Sequence, residues 1–166
     1  MRALAMTDDL TGLPNRRHIL KYLEGHRASA LQSHRPLALL AFDVDHFKRF
    51  NDQHGHGGGD RLLIALSQII VRYLRPGDRI GRIGGEEFLV VLPATSLQDA
   101  EAIAECLRAT IETARLDDLP DAAHVTASFG IAELRAEDAG VEPLLKRADD
   151  ALYRAKHAGR NRVVVG

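Results

Sequence analysis

At 166 residues, 45% hydrophobic and 27% charged, the chain has the size and balance of one soluble globular domain, which excludes disordered and fibrous classes. A formal net charge of −1 supplies no global field for nucleic acid or an anionic membrane, so any anion must be held by local arrangement. One cysteine, Cys106, rules out an internal disulfide and suits a reducing compartment, and its apolar helical context predicts core packing.

No run of about eighteen apolar residues and no signal-peptide pattern at Met1 is present, so a cytoplasmic domain without direct membrane insertion is expected. That reading allows a membrane tether through further N-terminal segments. Residues 1–6 read as the stub of a linker and 7–166 as one domain, without internal repeat or low-complexity linker.

The stretch TDDLTGLPNRR (7–17) carries turn chemistry. From about Asn15, the spacing of Ile19, Leu20, Leu23, Arg27 and Leu31 predicts an amphipathic helix ending before Pro36. LALLAFDVD (37–45) is a continuous apolar run that ends in carboxylates, the pattern of a buried strand whose end meets a polar site. HFKRFND (46–52) predicts one or two helical turns, GHGGGD (55–60) a loop, and Leu62 to Tyr73 the helix after it.

RIGRI (79–83) and EEFLVVL (86–92) flank Gly84-Gly85, a hairpin signal because both glycines take positive φ readily. A helix follows over 96–114, with Ser96 as N-cap. HVTASFGIAEL (124–134) reads as a strand pair or one long strand bent at Gly130. A helix over 142–159 closes at Gly159, and RVVVG makes a last short strand. Interspersed helices and strands with a hairpin point to an α+β fold, a mainly antiparallel sheet flanked by helices.

Several residues carry chemistry. Asp43 and Asp45, two apart on a strand, project to one face. A salt bridge or a helix N-cap explains such a pair by itself. Glu86-Glu87 adds a second acidic cluster, of which one member shares a side with Asp43 if the hairpin lies beside that strand. Hard oxygens in that number suit Mg²⁺ or Mn²⁺, with water and phosphate completing the shell. Lys48, Lys156 and Arg160 are candidate phosphate contacts, although the last two also suit a helix C-terminus. The N–H groups entering the helix after Asp45 offer a second phosphate cradle. Neither Gly-rich stretch is a P-loop. Asn51 and Asp60 could read a base edge, an ionised Asp matching the N1–H and N2–H₂ donors of guanine, or could serve as turn and cap residues. His54 and His56 lack a third soft ligand and read as loop histidines.

Six motifs in order, DDLTGLPNRR, FDVDHFKRFND, GHGGGD, RIGGEEF, SFGIA and ADDALYRAKHAGRN, make the chain resemble the GGDEF domain, the catalytic domain of diguanylate cyclases, over nearly its whole length. The resemblance implies a ferredoxin-like, palm-type nucleotide cyclase fold. It implies condensation of two GTP into cyclic di-GMP with release of two pyrophosphates, by an antiparallel homodimer. It implies two Mg²⁺ or Mn²⁺ ions per active site, held by Asp43, the Val44 carbonyl, Glu86 and Glu87, with either glutamate as base. Gly84 and Gly85 would let the chain pass close to the nucleotide. Asn51 and Asp60 would read guanine beside Leu10 or Leu13. The His46 and Phe47 amides, Lys48, Lys156 and Arg160 would hold the β- and γ-phosphates. Arg75 and Asp78 match the family's Arg-x-x-Asp product-inhibition site, with Arg82 contributing from a partner domain. Ile83 departs from the aromatic common before the two glycines. An N-terminal sensory or receiver domain is the usual companion. The alternative functions are a catalytically silent cyclic di-GMP receptor acting through Arg75 and Asp78, and a structural module that binds no nucleotide.

Overall fold

The computed structural model describes residues 5–116, 119 and 123–166; most of the expected linker stub, residues 1–4, lies outside them. Among the described residues nine elements follow in order: α1 (Arg16–Ser33), β1 (Leu37–Val44), α2 (Phe47–Tyr73), β2 (Arg79–Gly84), β3 (Glu87–Pro93), α3 (Leu97–Thr113), β4 (Ala127–Glu133), α4 (Val141–His157) and β5 (Val163–Val165). The strands form one sheet ordered β2-β3-β1-β4-β5. All neighbours are antiparallel except β4 and β5. The expected mainly antiparallel α+β architecture is what the chain adopts.

β1 is buried along its whole length because helices cover both faces of the sheet. Its even positions, Ala38 to Val44, join a core with α2 and α3, while Leu37, Leu39 and Ala41 join a second core with α1 and α4. Period-two alternation therefore sends Asp43 to the α1 and α4 side. Beneath it, on the other face, Phe42 stacks on Phe88 of β3 and Phe129 of β4, with ring centroids 5.0 and 4.8 Å apart. Three rings from the three central strands thus hold the carboxylate end of β1 in register.

Local signals set the helix starts. The Asn15 side chain accepts the His18 N–H and the Ser96 hydroxyl accepts the Asp99 N–H, so both helices begin at a side-chain cap. The GHGGGD stretch is not a loop. Helix continues through it, broken at the single residue Gly55 (φ 74°, ψ 170°). Its glycines serve packing: a Cβ on Gly59 would fall 1.8 Å from Asn51 Oδ1 across the kink. β4 is one strand that runs unbroken through Gly130, where a Cβ would meet the Ala148 carbonyl at 2.2 Å. Cys106 is exposed, contrary to expectation. The buried stripe of α3 is Ala100, Ala104, Leu107 and Ile111, and Cys106 sits one residue off it.

Candidate active site

The hairpin after β2 meets the end of β1. Gly84 pairs with Glu87, so the connecting residues are Gly85 and Glu86, one position later than the expected Gly-Gly turn. The register shifts between Arg82 and Gly84, and that irregularity displaces the turn. Gly85 takes φ +47°, the left-handed region where a side chain is strained. In the next pair of strands Asp43 stands directly opposite Glu87, and the Val44 N–H donates to the Glu86 carbonyl at 3.3 Å. Directly opposed residues share a face, so Glu87 is the glutamate on Asp43's side. Glu86, a loop residue outside the strand alternation, lies at the tip beside them.

Asp43 is 3% exposed. One of its oxygens accepts from the Lys156 ammonium of α4, while Oδ1 is buried with no partner among the described residues. Burial pushes its pKa up to about 6, against the pull of Lys156, and the charges of Glu87 and Glu86 push the same way. The three carboxylates are therefore one electrostatic group. Asp43 and Glu87 line a cleft of about 260 Å³ whose walls also include Arg16, Asp149, Tyr153 and Lys156.

No three His, Cys, Asp or Glu side chains among the described residues are gathered closely enough to cage an ion unaided. An ion here would share its shell with water or ligand oxygens, the habit of Mg²⁺. The donor set fits such an ion on two counts. An orphaned buried carboxylate oxygen demands a partner, and an ammonium already stands as cation at the other oxygen.

Asp45 has a different task. Its oxygens accept the Thr126 hydroxyl (2.7 Å), the Ser128 hydroxyl (2.7 Å) and the Asn161 N–H (3.0 Å). It ties the β1 end to β4 and to the loop before β5, and adds nothing to the acidic cluster.

His46, in the left-handed region, precedes Phe47 at the N-terminus of α2, where orphan N–H groups and the helix dipole favour an anion. Lys48 and Asp60 are exposed, and Asn51 is half-buried, its Oδ1 without a partner among the described residues. Asn51 lies across the kink from Gly59, next to Asp60 in the chain. Leu10 packs on the same core as Phe47 and Phe50, and Leu13 is buried within it. Arg160, φ 64°, turns the chain after α4, with its guanidinium against the Lys156 carbonyl at 3.4 Å. His54 packs its ring on Phe50, while the His56 side chain lies outside the described residues.

Arg75 and Asp78 form a closed local pair: Nε and Nη2 each reach the carboxylate at 3.0 Å, and the Arg75 N–H adds a bond at 2.9 Å. Asp78 is buried and the Arg75 side chain is 52% exposed. Arg82 is engaged within its own chain. Its guanidinium bonds Asp8 at 3.1 Å and the Gly85 carbonyl at 2.8 Å, and its N–H donates to the Pro14 carbonyl at 3.0 Å. The residues 7–14 loop is thereby pinned to the hairpin.

Sequence reasoning missed Asp149 and Arg16. Burial raises the Asp149 pKa, the charges of Glu87 and Asp150 add to it, and Arg16 and Lys156 oppose. The signal was available: Asp149 precedes Lys156 by seven residues, two helical turns on one face.

The family model described as "Diguanylate cyclase, GGDEF domain" matches residues 5–162. The diguanylate cyclase DgcP of Pseudomonas aeruginosa is 44% identical over 99% of this chain, and DgcM of Escherichia coli 40% over 95%. The chain spans 24% and 37% of those two proteins. Among solved structures, the diguanylate cyclase SiaD of Pseudomonas aeruginosa, in complex with its activator SiaC, superposes with a TM-score of 0.92 at 40% identity, covering 98% of this chain and 62% of SiaD. The GGDEF domain of DgcB from Caulobacter crescentus, in complex with c-di-GMP, gives 0.91 at 33% identity, covering 99% and 98%.

Proposed function

The chain belongs to the GGDEF domain family, and on that premise we propose that it is a diguanylate cyclase acting on GTP as an antiparallel homodimer. In each half-reaction the ribose 3′-oxygen of one GTP bonds to the α-phosphorus of the other. The bond from that phosphorus to the β-phosphate bridging oxygen breaks, and pyrophosphate leaves. The 3′-hydroxyl proton passes to a carboxylate of the hairpin, Glu86 or Glu87. Two such steps close cyclic di-GMP. One domain holds one GTP, so two copies must face each other.

Asp43, the Val44 carbonyl, Glu86 and Glu87 are the residues to hold Mg²⁺ or Mn²⁺, two per site, which when bound supply charge stabilisation at the attacking and leaving oxygens. Asn51 and Asp60 take the guanine edge, beside Leu10 and Leu13. The amides of His46 and Phe47 with Lys48, Lys156 and Arg160 hold the outer phosphates. Gly84 and Gly85 leave room for the nucleotide over the hairpin. Arg75 and Asp78 bind the product as a brake, where the planar guanidinium suits guanine and phosphate; Arg82 assists only by leaving Asp8.

The observation that carries this reading is the placement of Asp43 opposite Glu87, with one carboxylate oxygen buried and unpartnered. The test is product formation from GTP and Mg²⁺ across a range of protein concentrations. Cyclic di-GMP is expected, with turnover per chain rising with concentration. No product at high concentration with dimerisation enforced overturns the activity; product binding without turnover assigns the chain a receptor role instead. No helix among the described residues is long and apolar enough to cross a membrane, and a sensory or receiver domain in a longer protein would set the dimer.

A further inference from the structure

We propose that Lys156 is a built-in counter-cation that competes with divalent metal for Asp43, so that the nucleotide-free site binds free metal ions only weakly. The inference rests on the reading of Asp43 as a metal ligand.

A carboxylate with a 5% exposed side chain must be neutralised, and Lys156 does this from α4. The pair is nonetheless incomplete. Among the described residues Asp43 Oδ1 has no partner, and the one side-chain cation on the carboxylate is the Lys156 ammonium. The contrast with a permanent bridge lies on the same helix. Arg147 grips buried Asp138 with two bonds at 2.8 and 2.7 Å, a third goes to the Glu133 carbonyl at 2.9 Å, and the Arg135 N–H completes Asp138 at 2.8 Å. That fork is fixed at every point. Lys156 instead offers a compact charge on a flexible stem, with a side chain 31% exposed to the cleft. It can let go without unfolding anything around it.

When it does, Asp43, Glu87 and Glu86 remain as an anionic group that calls for another cation. An ammonium and a divalent ion cannot both occupy one carboxylate at low dielectric, since their repulsion opposes what each gains. Metal must therefore displace Lys156. A triphosphate, which carries more charge than a carboxylate, offers the displaced ammonium a better partner.

The test measures Mn²⁺ affinity of the nucleotide-free chain, by electron paramagnetic resonance of the free ion. Lys156→Met is expected to tighten Mn²⁺ at least about tenfold, and Lys156→Arg, which keeps the charge, to bind like the parent. Adding Asp43→Asn to Lys156→Met should erase the gain. Equal affinity of parent and Lys156→Met, or a gain that survives Asp43→Asn, overturns the proposal. A second measurement needs no variant: acylation of Lys156, read by mass spectrometry, should speed up severalfold as Mn²⁺ expels the ammonium from Asp43. An unchanged rate at saturating Mn²⁺ overturns the proposal as well. None of these readings uses turnover, so a chain that makes no cyclic dinucleotide refutes the proposed activity and leaves them standing.

Discussion

Asp43 and Asp45 leave the same strand end, two residues apart and both buried, yet their surroundings are opposite. Asp45 is saturated: two hydroxyls and a backbone N–H fill its oxygens. Asp43 has one cation, one orphaned oxygen and two glutamates across the hairpin. The first arrangement satisfies a buried carboxylate and joins three segments. The second leaves a carboxylate in need, which costs stability and is kept where binding must supply what folding does not. The two sites set a saturated carboxylate beside an unsatisfied one, two residues apart on one strand end.

Replacing each in turn should break that comparison most visibly. Asp43→Asn is expected to lower turnover about 1,000-fold, the size that its proposed part in holding metal at the reacting phosphorus implies, while leaving the melting temperature equal or higher. Asp45→Ala should do the reverse. It strands the Thr126 and Ser128 hydroxyls and the Asn161 N–H, a cost of about 3 kcal/mol or a fall of about 6–12 °C. Thermal melts and GTP turnover on both variants check the pair. A destabilised Asp43→Asn that kept its turnover would reverse the assignment.

A pH series sharpens the same point at smaller scale. Asp43 has its pKa raised from 3.8 to about 6, so the folded state binds its proton more tightly than the unfolded chain does. Its contribution to stability is thus fully present below about pH 4 and is lost as the pH rises through 6. The full difference is on the order of 3 kcal/mol. Asp149, also raised, slopes the same way. Asp138, Asp8, Glu24 and Glu105, all held low in the folded state, slope the other way, but only below about pH 5.5, where their unfolded carboxyls take up protons. Denaturant titrations from about pH 5.5 to pH 7 should show stability falling, and Asp43→Asn should flatten most of the slope. Mg²⁺ at high concentration should also reduce the slope, because it favours the ionised carboxylate.

Why Asp43 and Asp45 could not be told apart from sequence is a matter of distance along the chain. Asp45's partners lie 81 to 116 residues away, and Lys156 is 113 from Asp43. Local signals, by contrast, were legible. The apolar run gave β1, the Asn15 and Ser96 caps placed α1 and α3, and the two glycines announced the hairpin. The Gly55 to Asp60 stretch misled because glycine marks a loop and a close helix contact equally well, and only the approach of Asn51 to Gly59 distinguishes them. Cys106 was misplaced by one step of a helix whose ends, not its phase, were clear.

Arg75 and Asp78 give the smallest expected effect on folding and test whether exposure, rather than saturation, also marks function. The pair resembles Asp45 in being closed: a buried carboxylate with a guanidinium at two points and a backbone N–H. It resembles Asp43 in its cation, whose side chain is half open to solvent. Arg75→Ala keeps the residue 75 N–H on Asp78 but takes the guanidinium from a carboxylate that is 3% exposed and from the Thr95 hydroxyl, a loss of no more than about 2 kcal/mol because water enters where the half-exposed Arg75 side chain stood. If the guanidinium is there to recognise product, cyclic di-GMP affinity should nonetheless fall about 10- to 100-fold, the value of one bidentate guanine contact. Calorimetric binding of cyclic di-GMP beside a denaturant melt reads both quantities. A stability loss above that bound with unchanged product affinity would place Arg75 with Asp45, as part of the frame.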